Sequence, residues 1–300
     1  MTLPNVVVAG APKCGTSSLF AWLTDHPDVC GSLAKETRYL LDPASPLERS
    51  RSYEQGGIQG YAAYFRHCAE REMPPRVVVE ATPDYLYQET AREVLASLNP
   101  RPLILFMFRR PSARIYSHYQ FARHNMAILP ASTTFAQFLD AVRRDDDSLR
   151  QRRNLRQAIS YSRYADHLAP WIDLFGLSGI RCYLTEDMQA NPLRFARRVA
   201  LDLGVEPGFF DSYSFTRRNE TFSVRNQRLQ RIRVELGRRI GSRQVKGPAA
   251  RLYARLNTRG RQASPSPEER RLLAELDAEF ADANDTLARL TGLDLGPWAG

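Results

Sequence analysis

Residues 6–19 read VVVAGAPKCGTSSL. The β-branched run at 5–10 (NVVVAG) ends in glycine and predicts a short buried strand. The pattern SSLFAWLTDHP predicts a helix stopped at His26-Pro27, with a glycine turn between the two. Such a strand–turn–helix unit offers backbone N–H groups and a helix N-terminus to an anion. Gly10 and Gly15 have the spacing of a Walker A loop, but Thr16 stands where that loop has its lysine, and Lys13 comes three residues earlier. In a nucleotide triphosphatase the lysine reaches the β- and γ-phosphates and the following Ser/Thr binds Mg²⁺. Here Lys13 lies before the helix and approaches an anion from the other side, while Thr16, Ser17 and Ser18 add hydroxyl donors. A structural glycine turn is the alternative for this stretch taken alone.

Working outward, 76–81 (RVVVEA), 102–108 (PLILFMF) and 180–184 (IRCYL) are three more apolar runs of strand length. Helical patterns at 88–98, 112–125, 133–143 and 163–175 separate or flank them. Strands alternating with helices predict an α/β fold with a mostly parallel central sheet flanked by helices. A further helix over 192–203 opens with Pro192 at the first helical position. The C-terminal third has no strand pattern. Helical stretches at 224–240 and 266–291 flank an Arg/Gly/Ser/Pro-rich segment around 241–267. The expected organisation is a single domain over 1–300. It has an α/β core over about 4–210 and a basic helical extension over about 211–300, with a candidate lid around 217–265.

The chain has 300 residues, enough for a sizeable core, and a net charge of +9. From Arg217 to Arg271 there are 15 Arg and one Lys against four Glu, a local charge of +12 that leaves −3 elsewhere. Phosphate, sulfate, polysaccharide, nucleic acid and lipid headgroups are all chemical partners for such a segment, as is plain solvent on a helix face. Only three of the 42 basic residues are lysines: Lys13, Lys35 and Lys246. A lysine in an arginine-dominated chain suggests a place where a compact point charge is wanted. Cys14, Cys30, Cys68 and Cys182 show no CxxC or CxxxH spacing, which argues against a zinc site or a redox pair. No run approaches a membrane span, and the N-terminus lacks a signal-peptide pattern. The expectation is a reduced, cytoplasmic, soluble protein.

A second motif stands 95 residues on, in LILFMFRRPSARIYSHY. It is a strand, then Arg109, then a proline-started helix with Ser117 two turns in. Arg offers a charge-assisted fork and Ser a hydroxyl to one phosphate. The strand ends in Phe108-Arg109-Arg110 and not in an Asp for Mg²⁺, which argues against ATP or GTP hydrolysis. The two motifs together resemble the sulfotransferase superfamily that uses 3′-phosphoadenosine-5′-phosphosulfate (PAPS), in the style of its carbohydrate and heparan branch and bacterial relatives. A weaker match over 163–204 extends the resemblance to about residues 4–210.

The resemblance implies a P-loop-like sulfotransferase fold and PAPS as co-substrate, with 3′-phosphoadenosine-5′-phosphate (PAP) as product and no metal. Lys13, Cys14, Gly15, Thr16, Ser17 and Ser18 would cradle the 5′-phosphosulfate, and Arg109 and Ser117 would hold the 3′-phosphate. Arg218 and Arg225, in NETFSVRNQRL and just before it, are candidates for closing over the nucleotide. The branch's general base, carried over onto KETRYL at 35–40, points to Glu36. Thr37-Arg38-Tyr39 departs there from the branch's Pro-His-aromatic pattern, and Arg38 in place of His changes both charge and tautomer chemistry, which leaves the acceptor open. VVVEATPDYLY at 77–87 has Ala81 where the branch has a lysine, and Glu80, Thr82 and Asp84 remain to line the cleft. His118 is a reserve base. The acceptor is a hydroxyl or an amine of a small molecule, lipid or carbohydrate, with no nucleic acid and no membrane span expected. The alternatives are a P-loop nucleotide kinase or phosphotransferase, and a basic polyanion-binding module built on 217–271.

Overall fold

β1 (Val6–Gly10) is buried along its whole length, as its unbroken apolar run requires of a strand covered on both faces. It is the middle strand of a five-stranded sheet, order β2-β3-β1-β4-β5, with β2 (Val29–Gly31), β3 (Val77–Ala81), β4 (Leu103–Phe108) and β5 (Ile180–Leu184). All four pairings are parallel; Val6 faces Val79 on one side and Leu103 on the other. The chain leaves β1 for the edge strand β2, returns through β3, then crosses to β4 on the other flank of β1. Open parallel sheets take ligands outside the carboxyl ends of their strands at such a reversal.

The computed structural model describes residues 1–47, 49–149, 153–216, 222–224, 226–240, 253, 257–261 and 264–299. The chain forms two units. One joins Met1–Arg110, Arg163–Asn219 and Phe280–Gly300; the other joins Pro111–Ser162 and Glu220–Glu279. The first holds the parallel sheet and the helices α1 (Thr16–Thr24), α2 (Tyr53–Ala62), α3 (Arg66–Ala69) and α4 (Glu89–Ser97). In the second, α5 (Pro111–Gln120), α6 (Phe135–Arg143) and α7 (Arg153–Arg156) come first along the chain. The first unit resumes with α8 (Tyr164–Phe175), α9 (Thr185–Ala190) and α10 (Pro192–Leu203). α11 (Gln227–Ile240) and α12 (Pro267–Glu279) belong to the second unit, and α13 (Ala281–Thr291) returns to the first.

Helix ends follow local chemistry. α10 starts where Asn191 Oδ1 accepts the Arg194 N–H at 2.9 Å and Pro192 opens the first turn, and it ends at Gly204 with φ 68°. α6 carries a reciprocal box: Gln137 N donates to Thr134 Oγ1 and Thr134 N to Gln137 Oε1. In the second unit Arg114 is fully buried and donates to Ser162 Oγ at 2.7 Å, and Tyr119 stacks on Phe138.

Three expectations change. The C-terminal third is not strand-free: Phe222–Val224 (β6) pairs antiparallel with Thr258–Arg261 (β7), too short a pattern to read from sequence. The helical stretch 266–291 is two helices, broken at Phe280. Cys30 and Cys68 form a disulfide, so the four cysteines are not all reduced. Spacing within the sequence cannot reveal a pair that the fold brings together from β2 and α3. Among the described residues no helix is long and apolar enough to cross a membrane.

Candidate active site

The turn after β1 is built to expose backbone. Cys14 N donates back to Ala11 O at 3.3 Å, and Lys13 takes a left-handed φ of 70°. Gly15 caps α1 at φ 82°, a conformation that favours glycine, and a Cβ there would stand 2.5 Å from Met188 Cε. Ser18 N and Leu19 N both donate to Gly15 O, at 3.0 and 3.2 Å, so α1 opens directly at this glycine. Thr16 and Ser18 are buried; Lys13 and Ser17 are half-buried. The Cys14 sulfur points into the interior, 3.7 Å from Tyr164 Oη, so this residue offers the turn backbone and packing.

Thr185, the first residue of α9, ties the turn to the next strand. Its hydroxyl lies 2.9 Å from Cys14 O and 2.8 Å from Phe108 O and shares its proton between them. Tyr164 Oη donates to Arg109 O at 2.8 Å. Glu186 accepts the Arg110 N–H through one oxygen and the Trp298 indole N–H through the other. These contacts hold the end of β4 beside the turn, at the carboxyl edge of the sheet. The Arg109 guanidinium is half-buried and makes no hydrogen bond or ion pair among the described residues. Ser117 is half-buried on α5, and His118 is its neighbour there. Arg218 and Arg225 lie outside the described residues, as do residues 241–252, 254–256 and 262–263 of the candidate lid.

Glu36 sits at the end of the neighbouring strand. Its N–H donates to Ala81 O, the last residue of β3, at 2.9 Å. Lys35 Nζ donates to one carboxyl oxygen at 2.8 Å and Arg38 Nη2 to the other at 2.9 Å. Burial raises the Glu36 pKa, but Lys35 and Arg38 outweigh it and hold the carboxyl below its ordinary value. Glu36 and Arg38 have φ of 63° and 54°. With Lys13 they make three of the five non-glycine residues of positive φ among the described residues, so backbone strain gathers at these two loops.

Beneath the Glu36 loop lies a buried polar network. Glu80 is wholly enclosed, and its carboxyl accepts from Thr82 Oγ1 at 2.5 Å, Thr37 Oγ1 at 3.0 Å and Tyr61 Oη at 3.5 Å. Thr82 Oγ1 accepts the Arg38 N–H, and Tyr85 Oη accepts the Leu40 N–H. Burial pushes the Glu80 carboxyl up to about 7 against the pull of the two threonine hydroxyls. Glu80 and Thr82 therefore do not line a cleft as expected; with the mostly buried Asp84 they lie under the loop that carries Glu36. The roles of Thr185, Glu186 and Tyr164 were invisible in the sequence, apart from a Glu-Asp turn read as packing.

A parallel sheet with a glycine turn after its central strand, a lysine on that turn and an arginine at the next strand end is a P-loop-like α/β arrangement. The chain belongs to the sulfotransferase domain family, whose model matches residues 3–228. That family takes its sulfuryl group from PAPS. The bifunctional heparan sulfate N-deacetylase/N-sulfotransferase 2 of Bos taurus is 26% identical over 229 residues, covering 72% of this chain and 23% of that protein. The heparan sulfate glucosamine 3-O-sulfotransferase 3B1 of Mus musculus is 24% identical over 220 residues, covering 73% of this chain and 51% of that protein. The chain thus spans from about a quarter to about a half of the length of these relatives. A crystal structure of a sulfotransferase from Alicyclobacillus acidocaldarius superposes with a TM-score of 0.66 at 21% identity, covering 100% of both chains, and shows the same fold.

Proposed function

We propose that this sulfotransferase moves the sulfuryl group of PAPS to a hydroxyl of a carbohydrate, lipid or small-molecule acceptor, with Glu36 as general base. The observation that carries the proposal is convergence. The Lys13 turn, Arg109 and the Glu36 loop follow or join the carboxyl ends of three adjacent strands, β1, β4 and β3. The turn is followed by hydroxyl-bearing residues, and the Arg109 guanidinium makes no hydrogen bond or ion pair among the described residues.

In this reading the acceptor oxygen attacks sulfur in line with the bridging oxygen of PAPS. The new S–O bond forms as the old one breaks, and the acceptor proton passes to Glu36. Negative charge grows on the departing 5′-phosphate, where Lys13, the N–H groups from Gly15 onward and the Thr16, Ser17 and Ser18 hydroxyls meet it. Lys13 and the backbone dipoles take the part that a divalent ion plays in a nucleotide triphosphatase. Arg109 and, on the helix that follows, Ser117 hold the 3′-phosphate, with Arg218 and Arg225 closing over the nucleotide. The heparan-acting relatives, named for N-sulfation and for glucosamine 3-O-sulfation, favour a sugar amine or hydroxyl as acceptor. Ala81 and Arg38, which replace a lysine and a histidine of that branch's pattern, set this acceptor apart from theirs.

Calorimetric titration with PAP, ATP and AMP tests the donor side. PAP is expected to bind at least about tenfold more tightly than either, a difference near 1.4 kcal/mol. Equal affinities would overturn the assignment. Lys13→Ala is expected to lower kcat by about 10²–10³-fold, as loss of a charge-stabilising donor does, with the folded far-UV signal retained.

A further inference from the structure

The disulfide between Cys30, in β2, and Cys68, in α3, has a third member. His67 Nε2 stands 3.5 Å from Cys30 Sγ and 3.6 Å from Cys68 Sγ. Both cysteines are wholly buried and His67 is half-buried. His67 Nδ1 is shielded from solvent without a hydrogen-bond partner among the described residues, so Nε2 is the nitrogen turned toward a polar atom. A disulfide has no S–H to offer and accepts hydrogen bonds poorly, so the oxidised pair gives this imidazole little to do. Among the described residues this is the group of His, Cys, Asp or Glu donors with metal-ligand spacing, its three donor atoms lying within 4.8 Å of one another.

We propose that Cys30, His67 and Cys68 form a zinc-binding site in the reduced protein, and that the disulfide is the form in which the site is shut. On a tetrahedral zinc, with Zn–S near 2.3 Å and Zn–N near 2.0 Å, sulfur and nitrogen donors stand about 3.5 Å apart. The two His67-to-sulfur distances already have that value. The sulfurs alone must part, to about 3.8 Å on the same tetrahedral geometry. Their Cα atoms are 5.8 Å apart, a separation that side-chain rotation spans without moving β2 or α3. Two thiolates and an imidazole are the donor set that selects zinc over magnesium or calcium. Three protein ligands leave the fourth position to water; the Gly31 carbonyl oxygen lies 3.8 Å from each sulfur, beside that space.

The chemistry balances through a dithiol reductant. It gives two electrons and two protons to the disulfide, yields the Cys30 and Cys68 thiols, and is itself oxidised to a disulfide. Zinc then displaces both thiol protons to solvent and takes the Nε2 lone pair of neutral His67, its proton resting on Nδ1. In a reducing compartment the dithiol is the resident form. The site is independent of the sulfotransferase assignment, since none of its residues belongs to the donor or acceptor loops.

The test uses the full chain, reduced with a phosphine that becomes its oxide with oxygen from water, and then freed of reductant under nitrogen. Titration with Co²⁺ is expected to give thiolate-to-cobalt charge-transfer absorption and tetrahedral d–d bands, saturating at one ion per chain. One equivalent of Zn²⁺ should bleach them. The untreated, disulfide-bonded chain should give neither band. His67→Ala should weaken Co²⁺ binding at least about tenfold, since even loss of a group behind a ligand costs that much. Cys68→Ser should lose the charge-transfer band, and Cys182→Ser should keep it. No thiolate–cobalt band in the reduced wild type, or loss of its folded far-UV signal on reduction, would overturn the proposal. A band unchanged in both His67→Ala and Cys68→Ser would do the same.

Discussion

Two carboxyls near the end of β3 carry opposite electrostatic signatures. Glu36 is held ionised by Lys35 and Arg38, whereas burial drives the enclosed Glu80 toward its protonated form. A base in this position accepts the acceptor's proton only as one of its two cationic partners lets go or turns to the substrate. Glu36→Gln is expected to lower kcat by about 10²–10⁴-fold while PAP affinity changes less than about threefold. A wild-type rate in steady-state assays would move the base elsewhere. Glu80 acts on stability. Its pKa rises from 4.5 to about 7 on folding, so the native chain binds the proton more tightly than the unfolded one. The stability it contributes is present below about pH 4.5 and is lost as pH rises through about 7. Thermal denaturation across that window should show the wild type losing several degrees relative to Glu80→Gln, on a scale of about 2–4 °C per kcal/mol for a chain of this size. Parallel curves for the two proteins would mean that Glu80 titrates normally. Nothing in VVVEATP announces a buried acid; only the arrival of Thr37 and Tyr61 over the strand end makes it one.

At the scale of elements, the sequence makes strands and helices legible where one period runs unbroken. β1, β3, β4 and β5 fall on their predicted runs, and α10 covers Pro192–Leu203 as read. The Lys13 turn and the Arg109 strand end were legible for the same reason, since each is a local strand-to-helix junction. What joins them was not. Thr185 is one hydroxyl at a helix start, and its link to Cys14 and Phe108 spans 171 and 77 residues. Thr185→Val keeps the shape and removes the hydroxyl, leaving two buried carbonyls short of a donor. It should destabilise the fold by about 1–3 kcal/mol and loosen PAP binding in the same titration. Gly15 gives a sharper test of the turn. Gly15→Ala meets both Met188 and an unfavourable φ of 82°. Adding Met188→Ala removes the clash but not the dihedral cost of about 1–3 kcal/mol. The double variant should therefore stay destabilised in denaturant melts; full recovery would show that the turn needs space and not a left-handed residue.

At the scale of the whole molecule, charge is the property that outlasts the details of any one loop. The chain carries +9 overall, and 15 arginines are gathered between 217 and 271, a stretch that includes Arg218 and Arg225. A donor with phosphates at both ends of its ribose is drawn by that field before any contact forms. The field is screened over about 10 Å at 0.1 M salt and over about 30 Å at 0.01 M. Raising salt from about 0.01 to 0.3 M should therefore lower kcat/KM for PAPS severalfold, while kcat, set inside the closed turn, moves less than about twofold. The same series discriminates acceptors. A neutral sugar or alcohol should keep its KM, whereas a sulfated or carboxylated one should lose affinity alongside the donor. Charge reversal of Arg228, Arg231 and Arg233 on α11 separates field from contact. It should flatten the salt dependence for PAPS without abolishing turnover at saturating donor. A slope that survives the reversal intact would place the attraction in the Lys13 and Arg109 edge of the sheet instead.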